Sequence, residues 1–237
     1  MHTHTTLLMQ IIKTVSVLVL SVLSVTAFGK GACTLPDGFV VTGAPKATEK
    51  TRFVSRTETV TIKAPLEFIL QQTQKAELEN TIKSDDDLPS VAGTFNLTEG
   101  RFKKAGDKRL TCLTDGSSLV EQILTNKVDR TEARFRYIVW GYTSPKAKAV
   151  DFAVGEFVRT AIDADTTKVE WTYSFVLKKN RIPGCLGALG RWVFRTFFLN
   201  RSYADMMRHT LEAEKNNAEA AYDPNQTETE IKPGNKV

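Results

Sequence analysis

Strand-like alternation runs through the middle of this chain and then gives way to a single long amphipathic helix over residues 191–221. Val193, Phe197, Ala204, Met207 and Leu211 recur there at helical spacing, and no periodic segment follows. A sheet buries one face and a helix buries one stripe, so the two must pack on each other. The expected fold class is α+β: a curved antiparallel sheet of about seven strands wrapped around a long C-terminal helix. Such a pairing commonly leaves a cavity between its layers, which suits a hydrophobic molecule better than metal or phosphate chemistry.

Residues 53–62 (FVSRTETVTI) alternate and predict a first strand. Ala64-Pro65 then opens a helix, because proline is tolerated in a first turn; helical spacing continues over 66–82, as one helix or two short ones. Further strands are predicted at 91–96, 109–113, 119–125, 131–142, 147–160 and 167–178. Asp115-Gly116 marks a hairpin, and 163–165 marks another. Every connection is short, so strands adjacent in sequence should be adjacent in an antiparallel sheet. In the last strand Val169, Trp171, Tyr173 and Phe175 share one face, while Glu170, Thr172 and Ser174 share the other.

The ends read as accessory. Residues 1–27 have the pattern of an export signal: a short start reaching Lys13, an apolar stretch at 14–28, and the small-residue pattern Val25-Thr26-Ala27 before the cut. That stretch is shorter than the roughly 20 residues a spanning helix needs. A secreted or periplasmic protein is expected, with N-terminal membrane anchoring as the alternative if 7–12 joins the apolar run. Residues 28–49, with Pro36, Gly38, Gly43 and Pro45, read as a linker, 50–221 as one domain, and the polar 222–237 as a disordered tail. Removing residues 1–27 takes away one base and no acid, so the net charge of +5 becomes +4. That mild excess gives no reason to expect a nucleic-acid partner. Cys33, Cys112 and Cys185 allow one disulfide in an oxidising compartment, and the sequence leaves the pairing open. Cys112, on a strand, reads as a small buried hydrophobe.

Metal and cofactor chemistry find little support. His209 is the one histidine beyond the export segment, so neither a multi-histidine zinc site nor a hydrolytic triad is well supplied. The aspartates at 85–87 lack the interleaved ligands of a calcium loop and read as a solvated turn. Gly184, Gly187 and Gly190 lack a nucleotide-binding context and read as a flexible loop at the cavity mouth. No cofactor and no metal are expected.

Glu121 is the polar residue of most interest. It shares a strand face with Leu119 and Ile123, and Arg109 is placed to pair with it. A carboxylate so surrounded suits proton transfer; the competing reading is a structural or outward-facing ion pair. With the motifs GDKRLTCLTDGSSLVEQIL (106–124), RFRYIVWGY (134–142) and TKVEWTYSF (167–175), residues 50–220 resemble the SRPBCC superfamily. That superfamily includes START-like lipid-binding domains, polyketide cyclase/dehydrase-like proteins and the birch-pollen-allergen family. The resemblance implies a helix-grip fold with a ligand cavity between sheet and C-terminal helix. Plant members that isomerise small sulfenic acids are similar at Arg109 and Glu121, and Tyr137 matches a cavity tyrosine. Phe152 stands where those relatives have another hydroxyl. The expected lining is Phe135, Tyr137, Val139, Phe152, Trp171, Tyr173 and Phe175 from the sheet, with Phe197 and Met207 from the helix. The expected role is an exported binder of a hydrophobic small molecule or lipid. The alternative is a cofactor-independent cyclase, dehydratase or isomerase using Glu121 and Arg109.

Residues 178–201 carry six bases (Lys178, Lys179, Arg181, Arg191, Arg195, Arg201) and no acid, interleaved with aromatic and aliphatic residues. This composition suits an anionic membrane surface. The competing reading makes the aromatics the core face of the helix and the arginines its solvated edge.

Overall fold

The computed structural model describes residues 33–224 except 83, 85 and 86. The expected export signal, residues 225–237 of the expected tail and two of the three aspartates at 85–87 lie outside the described residues.

Seven strands form one antiparallel sheet in the order β1-β7-β6-β5-β4-β3-β2. They are β1 (Val54–Ile62), β2 (Val91–Asn96), β3 (Lys108–Leu113), β4 (Ser118–Val128), β5 (Glu132–Trp140), β6 (Val150–Ala161) and β7 (Thr167–Leu177). Two short helices, α1 (Leu66–Lys75) and α2 (Leu78–Thr81), separate β1 from β2. The chain after β7 makes a tight turn at Gly184–Leu186 and continues as α3 (Gly187–Phe194), a π-helical stretch (Arg195–Tyr203) and α4 (Ala204–Ala221). This is the expected α+β helix-grip architecture. The long helix starts earlier than its periodicity suggested, because Gly187 and Gly190 lie within it rather than in a loop. Arg201 breaks the helical backbone geometry inside the π-helical stretch.

Strict alternation of burial along β7 divides the sheet into two faces. The inner face meets the helices. It carries Val54, Val169, Trp171, Tyr173, Phe175, Tyr137, Val139 and Ala153, packed with Phe194, Leu199, Met206, Met207 and Leu211. Bulges in β2, β4 and β6 interrupt the register and bend those strands. Ion pairs hold the helix to this face: Arg159 of β6 reaches Glu214 of α4 at 2.7 Å, and Arg208 of α4 reaches Glu58 of β1 at 3.2 Å.

The outer face has a second core of Leu110, Val120, Ile138, Trp140, Phe152 and Val154. Residues 33–53 cover it. Phe39, Ala44 and Phe53 pack there, and the Trp140 indole N–H donates to Thr42 Oγ1 at 3.1 Å. Cys33 is disulfide-bonded to Cys112 of β3, with Cα atoms 5.6 Å apart. This corrects the reading of Cys112 as a small buried hydrophobe, settles the pairing the sequence left open, and gives the segment read as a linker a structural role. Cys185 is the exposed free cysteine.

Candidate functional site

The register brings Arg109 and Glu121 directly opposite each other on β3 and β4, on the inner face. Arg109 Nε donates to Glu121 Oε2 at 2.5 Å, and Thr111 Oγ1 donates to the same oxygen at 3.3 Å. Glu121 is buried, and the Arg109 guanidinium is stacked 4.1 Å from the centre of the Phe102 ring. The pair is thus internal rather than outward-facing. Among the described residues both hydrogen bonds fall on Oε2, leaving Oε1 as an unused acceptor.

Next to this pair the inner face is aromatic. Tyr137 lies against Phe135 and Tyr173, with ring centroids 5.5 and 6.3 Å apart. Trp171 stacks on Phe157 at 4.8 Å, and Tyr173 touches Phe175 and Tyr203 at 4.9 Å each. Gly155 sits opposite Tyr137 in the β5–β6 register, and any Cβ at position 155 would fall 2.2 Å from Tyr137 Cζ. The glycine therefore makes the room that the Tyr137 ring fills.

Two polar atoms in this interior, Tyr142 Oη and Trp171 Nε1, are buried with no well-formed hydrogen bond among the described residues; their neighbours are the hydroxyls of Tyr173 and Tyr137, close enough to interact with them. Buried donors are almost always partnered, so each such atom calls for an explanation. Burial pushes the phenols of Tyr137, Tyr142, Tyr173 and Tyr203 well above the ordinary tyrosine range, and the Glu121 carboxylate adds to the effect at Tyr137 and Tyr142. All four phenols are therefore neutral hydroxyls at ordinary pH.

Of the residues expected to line the interior, Phe135, Tyr137, Val139, Trp171, Tyr173 and Phe175 are on the inner face, and Met207 is buried from the helix side. Phe152 and Phe197 depart from the expectation. Phe152 pairs with Val176 after the β6 bulge and points outward, against Phe53 at 6.2 Å. Phe197 is exposed, because the π-helical stretch shifts the helical phase and puts Phe198 and Tyr203 toward Phe175 instead. The sequence reading missed Tyr142, Tyr203 and the Arg159–Glu214 pair. Among the described residues no group of three or more His, Cys, Asp or Glu side chains is placed to hold a metal ion. An open depression of about 370 Å³ lies elsewhere, lined by Ser84, Leu88, Pro89, Ser90, Thr114, Asp115 and Lys146, none of them on the aromatic face.

A seven-stranded antiparallel sheet gripping a C-terminal helix, with a mostly apolar face between them, defines the helix-grip class. Neither a family model nor a curated protein sequence matches the chain. Solved structures do. Ara h 8.0201 superposes with a TM-score of 0.50 at 12% identity, over 70% of this chain and 97% of that one. The di-domain ARO/CYC StfQ from the steffimycin biosynthetic pathway gives 0.51 at 13% identity, over 71% of this chain and 51% of that one. The hypothetical protein jhp0584 from Helicobacter pylori gives 0.50 at 11% identity, over 76% and 99%. At these identities the likeness is one of fold: the chain has the helix-grip fold.

Proposed function

We propose that this chain is an exported protein that binds a hydrophobic small molecule between its aromatic inner face and its C-terminal helix. The carrying observation is an aromatic inner face on which a few buried polar groups converge: the hydroxyls of Tyr137, Tyr142, Tyr173 and Tyr203, the Trp171 indole N–H and the Glu121 carboxylate. An indole N–H only donates, so a ligand meeting it must bring an acceptor such as a carbonyl, ether or hydroxyl oxygen. Apolar walls with a few convergent polar groups are the usual composition of a small-molecule site. The Cys33–Cys112 disulfide supports export, since such bonds persist in oxidising compartments. The test is titration with an apolar fluorescent dye, together with native mass spectrometry of protein purified from its host. Saturable one-to-one dye binding is expected, weakened about two- to tenfold by Trp171→Phe through loss of one hydrogen bond. Absence of both saturable binding and any co-purifying molecule would overturn the reading.

A second reading is favoured by one observation, the internal position of Glu121 with Oε1 free. In it Glu121 moves a proton on a bound ligand as general acid or base, and Arg109 both fixes the carboxylate and offsets charge that develops nearby. The reaction class is then a cyclisation, dehydration or isomerisation that needs no cofactor. Glu121→Gln separates the two readings, because a binder keeps its ligand while an enzyme loses about 10²-fold or more in turnover.

A further inference from the structure

The end of the helical segment nearest β7 is apolar on both sides. Its inward side is already satisfied: Phe194 and Leu199 are buried, and Phe198 packs against Phe175 and Tyr203. Its outward side presents Ile182, Leu186, Leu189, Trp192 and Phe197, with Ile182 75% exposed and Trp192 and Phe197 57% each. These side chains form a continuous strip. Leu189 and Trp192 are one helical turn apart. Trp192 and Phe197 are five residues apart, the repeat of a π-helix, and their ring centroids are 6.4 Å apart. The Arg201 guanidinium lies 5.5 Å from the centre of the Phe197 ring.

The charge on this strip is equally one-sided. Lys178, Lys179, Arg181, Arg191, Arg195 and Arg201 lie in the same segment, which has no acid of its own between 178 and 204, while Asp87 reaches its far end at Ser202. Elsewhere Arg56, Arg109, Arg134, Arg159 and Arg208 each meet a carboxylate, whereas Arg52, Arg101, Arg130 and Arg136 do not among the described residues. None of the six bases meets a carboxylate among the described residues.

We infer that this face docks on an anionic lipid bilayer, with the helix lying in the plane of the interface. Only that occupant answers both halves of the pattern. Hydrocarbon takes Ile182, Leu186, Leu189 and Phe197, the interfacial zone suits Trp192, and anionic headgroups supply the charge the six bases lack. A nucleic acid would leave the aliphatic side chains in water. A second copy of this chain would bring like charge to like charge. Among the described residues no helix is long and apolar enough to cross a membrane. The inference stands on this surface and does not depend on the ligand-binding reading.

The test is co-sedimentation of the full chain with vesicles of phosphatidylcholine alone and of phosphatidylcholine mixed with phosphatidylglycerol, at low and high salt. The full chain should prefer the mixed vesicles and lose that preference in high salt. Leu189→Ser/Trp192→Ser should weaken binding by about tenfold or more, and Arg191→Gln/Arg195→Gln by about tenfold or more on anionic vesicles only. Both pairs are on the surface and should leave the unfolding midpoint unchanged. Equal binding to neutral vesicles that neither double variant alters would assign the contact to residues 14–28 and overturn the proposal. So would a polyanion such as heparin binding where vesicles do not, or concentration-dependent self-association abolished by Leu189→Ser/Trp192→Ser in place of vesicle binding.

Discussion

The Tyr137 ring lies across Gly155, so close that a methyl group on residue 155 would sit 2.2 Å from Cζ and 2.4 Å from the hydroxyl oxygen. The ring has little room to retreat, because Phe135 and Tyr173 flank it. Gly155→Ala should therefore cost about 1–3 kcal/mol through overpacking. At about 2–4 °C per kcal/mol for a domain of this size, the melting temperature should fall by roughly 2–12 °C. In a Tyr137→Leu background the same alanine should be nearly neutral, since the shorter side chain vacates the contact. Thermal unfolding of the four proteins completes the cycle, and equal costs in both backgrounds would show that the ring is not the obstacle.

Arg159 is another internal residue whose partner comes from the last helix. Its Nε and one terminal nitrogen both donate to Glu214 Oε1, at 3.2 and 2.7 Å, and the guanidinium lies 4.9 Å from the centre of the Phe157 ring. Glu214→Ala would strand a buried guanidinium at a cost of about 3–5 kcal/mol. Arg159→Met/Glu214→Leu removes both charges and should recover most of that loss, because the pair was expensive to desolvate. Urea unfolding of the single and double variants measures the coupling. A double variant as unstable as Glu214→Ala would mean that the loss comes from packing rather than charge.

The alternation along β7 made its inner face readable, since every second residue from Val169 to Phe175 is apolar. Short connections then gave the order from β2 to β7, whereas the pairing of β1 with β7 had no local signal. Legibility failed where the period changed without a strong residue signal. Gly141, at φ +68°, breaks the alternation after β5, so Tyr142 joins the inner cluster although strand parity alone does not put it there. The β6 bulge turned Phe152 outward, and the π-helical stretch did the same to Phe197. The Arg109–Glu121 pair was legible because both residues lie in short strands joined by an Asp-Gly turn, where register follows from loop length. Arg159 and Glu214 are 55 residues apart, and nothing local couples them.

The Cys33–Cys112 bond closes a loop with a sequence separation of 79 and pins residues 33–53 over the outer core. Chain-entropy reasoning puts a loop of this length at about 4.5 kcal/mol as an upper value, and such cross-links typically contribute about 2–4 kcal/mol. Cys33→Ser/Cys112→Ser should lower the unfolding free energy by that amount and expose Trp140 and Phe152 to solvent. Thiol labelling of the native, unreduced protein should add one maleimide, at the exposed Cys185, and labelling after reduction and unfolding should add three. Three additions before reduction would disprove the bond.

The interior tyrosines also set how the fold responds to alkali. Burial raises the phenol pKa of Tyr137, Tyr142, Tyr173 and Tyr203 in the folded state, whereas the unfolded chain ionises near the ordinary value of about 10. A raised folded-state pKa means that the folded protein keeps protons the unfolded chain has lost. Stability is therefore intact below about pH 10 and falls as pH climbs above it. Each phenol that the fold keeps protonated steepens that fall. Phenolate absorbance and far-ultraviolet circular dichroism should then change together above about pH 10, and Tyr173→Phe should make the fall shallower. Gradual ionisation of these phenols near pH 10 in a chain that stays folded would show that the hydroxyls are open to water, and the aromatic interior would have to be redrawn as a wet one.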